Sequence, residues 1–202
     1  MQKIKPIDLT FSGVFVCLMA IGANITILFP ILAIPIGGMS VPLSLQTFFA
    51  ILAGFMLGRK VGSLAMIVYI LVGTTGVPIF AGMTGGPMVF ISPTGGFIIS
   101  FIFTAYTTGL FAHLKTHRRR FNYTMAAFIG LLMNYSIGVS YMYVAINTWL
   151  GLRISYKTAW LSMLPFLIKD AFLSCLAVFF MIQMTKRLPK YQFVNFSTYF
   201  KT

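Results

Sequence analysis

Six long apolar runs, at residues 9–29, 43–58, 61–77, 96–114, 122–148 and 159–184, hold between them only two formally charged side chains, Lys169 and Asp170. A helix crosses the ~30 Å hydrocarbon layer in about 20 residues, so runs of this number and length read as membrane spans. A soluble domain could not hide them. Of the 202 residues 58% are hydrophobic and 8% charged, whereas an ordinary globular domain is about 25% charged. The expected fold is an all-α integral membrane protein, a single membrane domain over residues 1–202 with six helices. The second and third runs are short and carry Gly54, Gly58, Gly62, Gly73 and Gly76, which suits broken or tilted helices covered by protein. The fifth exceeds one membrane thickness and must tilt or extend beyond it. Met1 to Lys5 before the first run imitates a signal peptide. That run is too long for a typical h-region and no A-x-A-like site follows it, so it reads as a retained first span.

Fifteen Lys+Arg stand against Asp8 and Asp170, a formal charge of +13. The basic residues lie in short clusters between runs, which is the pattern of membrane topology and anionic headgroups rather than of nucleic acid. With a cytoplasmic amino terminus and six spans, the inner side receives Lys3, Lys5, Arg59, Lys60, Lys115, Arg118, Arg119, Arg120, Lys186, Arg187, Lys190 and Lys201. The outer side receives only Arg153 and Lys157. Twelve against two predicts both termini inside.

This orientation puts residues 30–42 and 77–96 outside. Both stretches are rich in Gly and Pro, and neither carries a charge. A solvated loop would hold Asp, Glu or Lys, so these read as a lid or pocket wall, with a purely structural loop as the alternative. Asp170 lies eleven residues into the last run, about 16 Å at 1.5 Å per residue. A carboxylate at that depth faces a polar cavity and its ligand, or else an ion pair between helices. Lys169 is a poor partner for it, since adjacent helix residues do not face each other; it snorkels outward or lines the same pocket.

In the fifth run Asn134, Gly138 and Tyr141 share one helix side, while Ser136, Ser140, Tyr143 and Asn147 share another. Gly138 leaves room for a ligand or a neighbouring backbone. Either stripe fits a cavity or helix–helix hydrogen bonding. Gln46, beside Thr47, braces a loop or reads a polar ligand group. Trp149, Tyr156 and Trp160 suit an aromatic belt. Gly13-x-x-x-Cys17 is a small-xxx-small pattern that admits a partner helix. No Walker loop, H-E-x-x-H, nucleophile elbow or C-x-x-C is present, and the two cysteines, Cys17 and Cys175, and two histidines, His113 and His117, form no ligand set. The expectation is no catalytic residue, no metal and no cofactor: a binding protein whose energy comes from partners.

VPLSLQTFFAILAGFMLG (41–58), GTTGVPIFAGMTGGPMVFISPTGGF (73–97) and LPFLIKD (164–170) resemble BioY, the substrate-binding membrane component of the biotin energy-coupling-factor (ECF) transporters. The resemblance implies the six-helix S-component bundle in a bacterial plasma membrane, with biotin held near the outer face beneath the two uncharged loops. It implies as partners a transmembrane coupling protein and two cytoplasmic ABC-type ATPases, and it makes Gly13 and Cys17 the altered form of an alanine-rich coupling surface. In that light Phe80, Phe90 and Tyr141 are expected to pack on the biotin rings, and Asp170, Gln46, Thr94 and Asn134 to meet its ureido group. Lys169 is the candidate for its carboxylate. The chain departs from the family at Leu173, where a lysine is usual, at Ser92, where a glycine is usual, and at Phe97 in place of tyrosine. The alternatives are an S-component for another water-soluble vitamin and a stand-alone secondary transporter, for which no inverted repeat is visible.

Overall fold

The computed structural model describes residues 6–29, 33–36, 39–42, 44–114 and 119–187. Its elements in chain order are α1 (Pro6–Ala23), a short α2 (Ile25–Leu28), strands β1 (Ala33–Ile36) and β2 (Met39–Pro42), and α3 (Gln46–Thr74). A 3-10 turn (Pro87–Ile91), α4 (Gly95–Ala112), α5 (Arg119–Thr148) and α6 (Tyr156–Arg187) follow. Five of the helices are long and apolar enough to cross a membrane, and the chain is a multi-pass integral membrane bundle. Large apolar side chains stay exposed along them, among them Ile168, Phe128 and Phe172. Such a surface would aggregate in water, but in a bilayer it faces lipid.

The 43–58 and 61–77 runs share one element. Gly58, with φ 74° and ψ 177°, interrupts α3 in a conformation open essentially to glycine alone. The arms on either side lie against each other. A Cβ on Gly62 would sit 2.9 Å from the Ala53 carbonyl oxygen, and the Gln46 Nε2 donates to the Tyr69 hydroxyl at 2.9 Å. In a straight helix residues 46 and 69 would stand about 35 Å apart. The element is therefore folded back on itself at Gly58. Across that fold runs α4: a Cβ on Gly109 would lie 2.3 Å from the Arg59 backbone nitrogen, and one on Gly54 would lie 2.6 Å from the Ala105 carbonyl. With no water to drive helices together, such close backbone approach supplies the contact energy.

The 30–42 stretch, expected as loop, contains an antiparallel hairpin in which Ala33 pairs with Pro42, Ile34 with Val41, Pro35 with Ser40 and Ile36 with Met39. The apolar first run also ends early, at Ala23, because Asn24 leaves the helical path before the short α2. Three packed clusters fill the bundle. One joins α1, α3 and α4 with Phe80; another joins α3, α5, α6 and the end of α4 around Phe55 and Tyr123; the third joins α5 to α6 around Tyr135 and Val139.

Candidate binding site

Where α3, α4, α5 and α6 converge beneath the 77–94 segment, the fold leaves a cavity of about 450 Å³. That is within the size of small-molecule sites, roughly 300–1,000 Å³. Its walls are mainly aromatic and aliphatic: Phe80, Phe97, Phe101, Phe166, Ile98 and Met163. The aromatic groups are held from behind. Phe80 is fully buried, with its ring where a Cβ on Gly73 would come within 2.1 Å, and it meets Tyr69 edge-on at 5.4 Å. Phe97 occupies the gap at Gly138, 2.4 Å from a Cβ there, and meets Tyr135 edge-on at 5.7 Å. The space expected at Gly138 for a ligand is filled by this ring.

Asp170 is the cavity's only acid. It is 4% exposed, and its Oδ2 accepts hydrogen bonds from the Thr47 and Tyr135 hydroxyls, each at 2.9 Å. Thr47 is set in turn by Asn134, whose Nδ2 donates to its Oγ1 at 3.3 Å, while the Asn134 Oδ1 accepts from Ser100. This polar chain crosses four helices. Asn134 donates to the threonine oxygen, so the single Thr47 proton is free for the carboxylate. The other carboxylate oxygen, Oδ1, is buried with no hydrogen bond of good geometry. Its neighbour is Lys169 Nζ at 2.7 Å, and the same ammonium donates to the Ser44 carbonyl at 2.6 Å. The expectation that these adjacent residues would not meet is corrected in distance: the long lysine stem curls over the cavity edge. The contact still leaves Oδ1 without an aligned donor.

The structure thus brings Asp170, Lys169, Gln46, Phe80 and Thr94 to one cavity. Three other expected contacts lie outside its lining. Asn134 stands behind Thr47. Tyr141 packs against Gly96 and donates its hydroxyl to the Phe90 carbonyl, so both it and Phe90 secure the roof. Trp149 adds a bond from its Nε1 to the Ile91 carbonyl at 2.6 Å, a roof contact rather than only a belt position. Gln46 does more than line the wall. Through Tyr69, which donates to the Ile79 carbonyl at 3.0 Å, it braces the same roof.

Sequence reading passed over Thr47 and Tyr135 as anchors. Thr47 sat beside the noted Gln46, but Tyr135 reads as one more apolar residue in a buried helix. The second polar stripe of α5 turns to the helix end, where Ser140 pairs with Tyr156 and the Asn147 Oδ1 accepts from the Ile154 amide. Gly13 and Cys17 lie on the exposed face of α1, with open space above Gly13.

A membrane bundle with an aromatic cavity and a braced carboxylate is a membrane-embedded small-ligand receptor, and comparison with known proteins gives the class its family. The BioY family model matches residues 1–190. The chain belongs to the BioY family. It is 40% identical over 178 residues to BioYB of Bacillus subtilis (strain 168), covering 88% of this chain and 87% of that one. It is 29% identical over 202 residues to the biotin transporter BioY of Lactococcus lactis subsp. cremoris (strain MG1363), covering 99% and 97%. Among solved structures, the crystal structure of the S-component for biotin from an ECF-type ABC transporter matches with a TM-score of 0.68 at 25% identity, over 98% of this chain and all of that one.

Proposed function

We propose that the chain is the biotin-binding S-component of an ECF-type ABC importer, taking biotin from outside and handing it to a coupling protein driven by two cytoplasmic ABC-type ATPases. The observation that carries this reading is the buried Asp170 carboxylate in a mainly aromatic and aliphatic cavity of a BioY-family chain, its Oδ1 ion-paired to Lys169 but without an aligned hydrogen-bond donor. Biotin offers a fused apolar ring, a ureido group with two N–H donors, and a carboxylate. A ureido N–H supplies the aligned donor that Asp170 Oδ1 lacks, the aromatic walls suit the ring, and Lys169, which spends one N–H on the Ser44 carbonyl, keeps N–H capacity for a ligand oxygen. Gln46 and Thr94 are further polar contacts within reach of the cavity.

The finer topology belongs to the same reading. Six crossings follow if each arm of the folded α3 traverses the membrane, with both termini cytoplasmic by the charge bias. The open face at Gly13 and Cys17 is then the surface for the coupling protein. The chain itself needs no catalytic residue, since ATP is used by its partners.

Direct binding of labelled biotin to the purified chain tests the proposal, with thiamine, riboflavin and pantothenate as competitors. Displacement by one of those and not by unlabelled biotin would overturn it. Asp170→Asn is expected to lower biotin affinity about ten- to a hundredfold, the worth of a hydrogen bond to a charged group, with folded yield changed far less. Equal loss of both would mark the carboxylate as structural.

A further inference from the structure

At the outer end of α1 a buried amide serves none of the roles assigned above. Asn24 is 7% exposed, at the break between α1 and α2. Its Nδ2 donates to the Ala20 carbonyl at 3.0 Å, within its own helix. Its Oδ1 accepts the backbone N–H of Met83 at 2.7 Å, from a loop 59 residues further along the chain. Among the described residues Met83 is the non-glycine residue with positive φ, at 55°, and it lies between Gly82 and Gly86, at 75° and 88°. A left-handed backbone at a side-chain-bearing residue persists only where neighbouring structure holds it. The Asn24 bond is such a hold. The loop it grips supplies Phe80, Ala81 and Thr84 to the cavity.

The same turn of α1 also holds the facing wall. The Gly22 carbonyl accepts the Leu45 N–H at 2.8 Å, and a Cβ on Gly22 would lie 2.6 Å from the Phe49 ring, so α1 is seated directly on the start of α3. Ser44 and Gln46, flanking Leu45, line the cavity. One helix turn thus anchors both walls.

We infer that Asn24 is a positioning residue for the ligand. It ties the 80–86 loop to the turn of α1 that carries residues 44–46, and thereby sets how long a ligand stays beneath them. The inference goes beyond the biotin reading and uses it only for its kinetic readout.

The test compares the wild-type chain, Asn24→Leu and Asn24→Asp in lipid nanodiscs, by dissociation of labelled biotin and by hydrogen exchange of peptides spanning Met83. Asn24→Leu removes the acceptor and is expected to speed biotin release about fivefold, the size of one net hydrogen bond, with faster exchange at Met83. Asn24→Asp keeps an acceptor for the Met83 N–H but loses the donor to Ala20, and is expected to match the wild type in both measurements. If the two variants speed release alike, Asn24 only braces α1 and the inference falls. It falls too if Asn24→Leu leaves Met83 exchange unchanged. A wild-type chain that binds no biotin would refute the proposed function instead, and the exchange comparison would still decide whether Asn24 holds the loop.

Discussion

A buried carboxylate is useful to a ligand only if its own neighbours leave one oxygen able to accept a further hydrogen bond and hold the other still. Thr47 and Tyr135 hold Asp170 Oδ2 from two different helices. Thr47→Val keeps the shape and removes one donor, so biotin affinity should fall about tenfold in equilibrium binding, and Tyr135→Phe should do the same. Tyr141→Phe makes a useful contrast. It loses the bond to the Phe90 carbonyl, outside the cavity, and should change affinity less than either. At this scale sequence goes as far as the rare residue. Asp170 stands out because an acid inside an apolar run is expensive, and Gln46 stands out for a similar reason. Tyr135 does not, because a phenol is mostly hydrocarbon and its hydroxyl partner comes from a helix 35 residues away. Tyr141 and Asn134 were legible as polar groups on one side of α5, but which neighbour claims each depends on packing that spacing along a single helix does not specify.

Among the elements, two glycines of α3 separate folding from binding. Gly58 makes the reversal between the arms in a backbone region that a Cβ opposes, and Gly58→Ala should cost about 1–3 kcal/mol of stability. The effect should appear as a lowered unfolding temperature in detergent. Gln46, at the far end of the arm, lies about 18 Å from it by helix rise, so the folded fraction should bind biotin with near-wild-type affinity. Gly73→Ala should behave differently. Its Cβ would meet the Phe80 ring at 2.1 Å and push a cavity wall inward, so affinity should fall more than stability. The short second and third runs and their glycines were a readable sign of interrupted helices, and the break lies at one of them. The β1–β2 hairpin was not readable in this way. Its Pro and Gly residues signal turns, and four-residue strands give too little alternation to outweigh that signal.

For the whole molecule, the bond from Trp149 to the Ile91 carbonyl fixes the cavity roof at the same end of the bundle as the α5–α6 turn, which carries Arg153, and the first turn of α6, which carries Lys157. The opposite end carries Arg59 and Lys60 at the α3 reversal, Arg120 where α5 begins, and Lys186 and Arg187 where α6 closes. Among the described residues, five basic side chains at one end against two at the other predict that the richer end faces the cytoplasm, so the cavity should open outward. Single cysteines at Lys60 and at Lys157, in a chain whose Cys17 and Cys175 are replaced by serine, test this with a membrane-impermeant maleimide. The cysteine at 157 should label in intact cells and the one at 60 only after lysis. If position 60 labels from outside, then α3 does not reverse on the cytoplasmic side. In that event the roof would open inward, and capture of biotin from the medium could not be the first step.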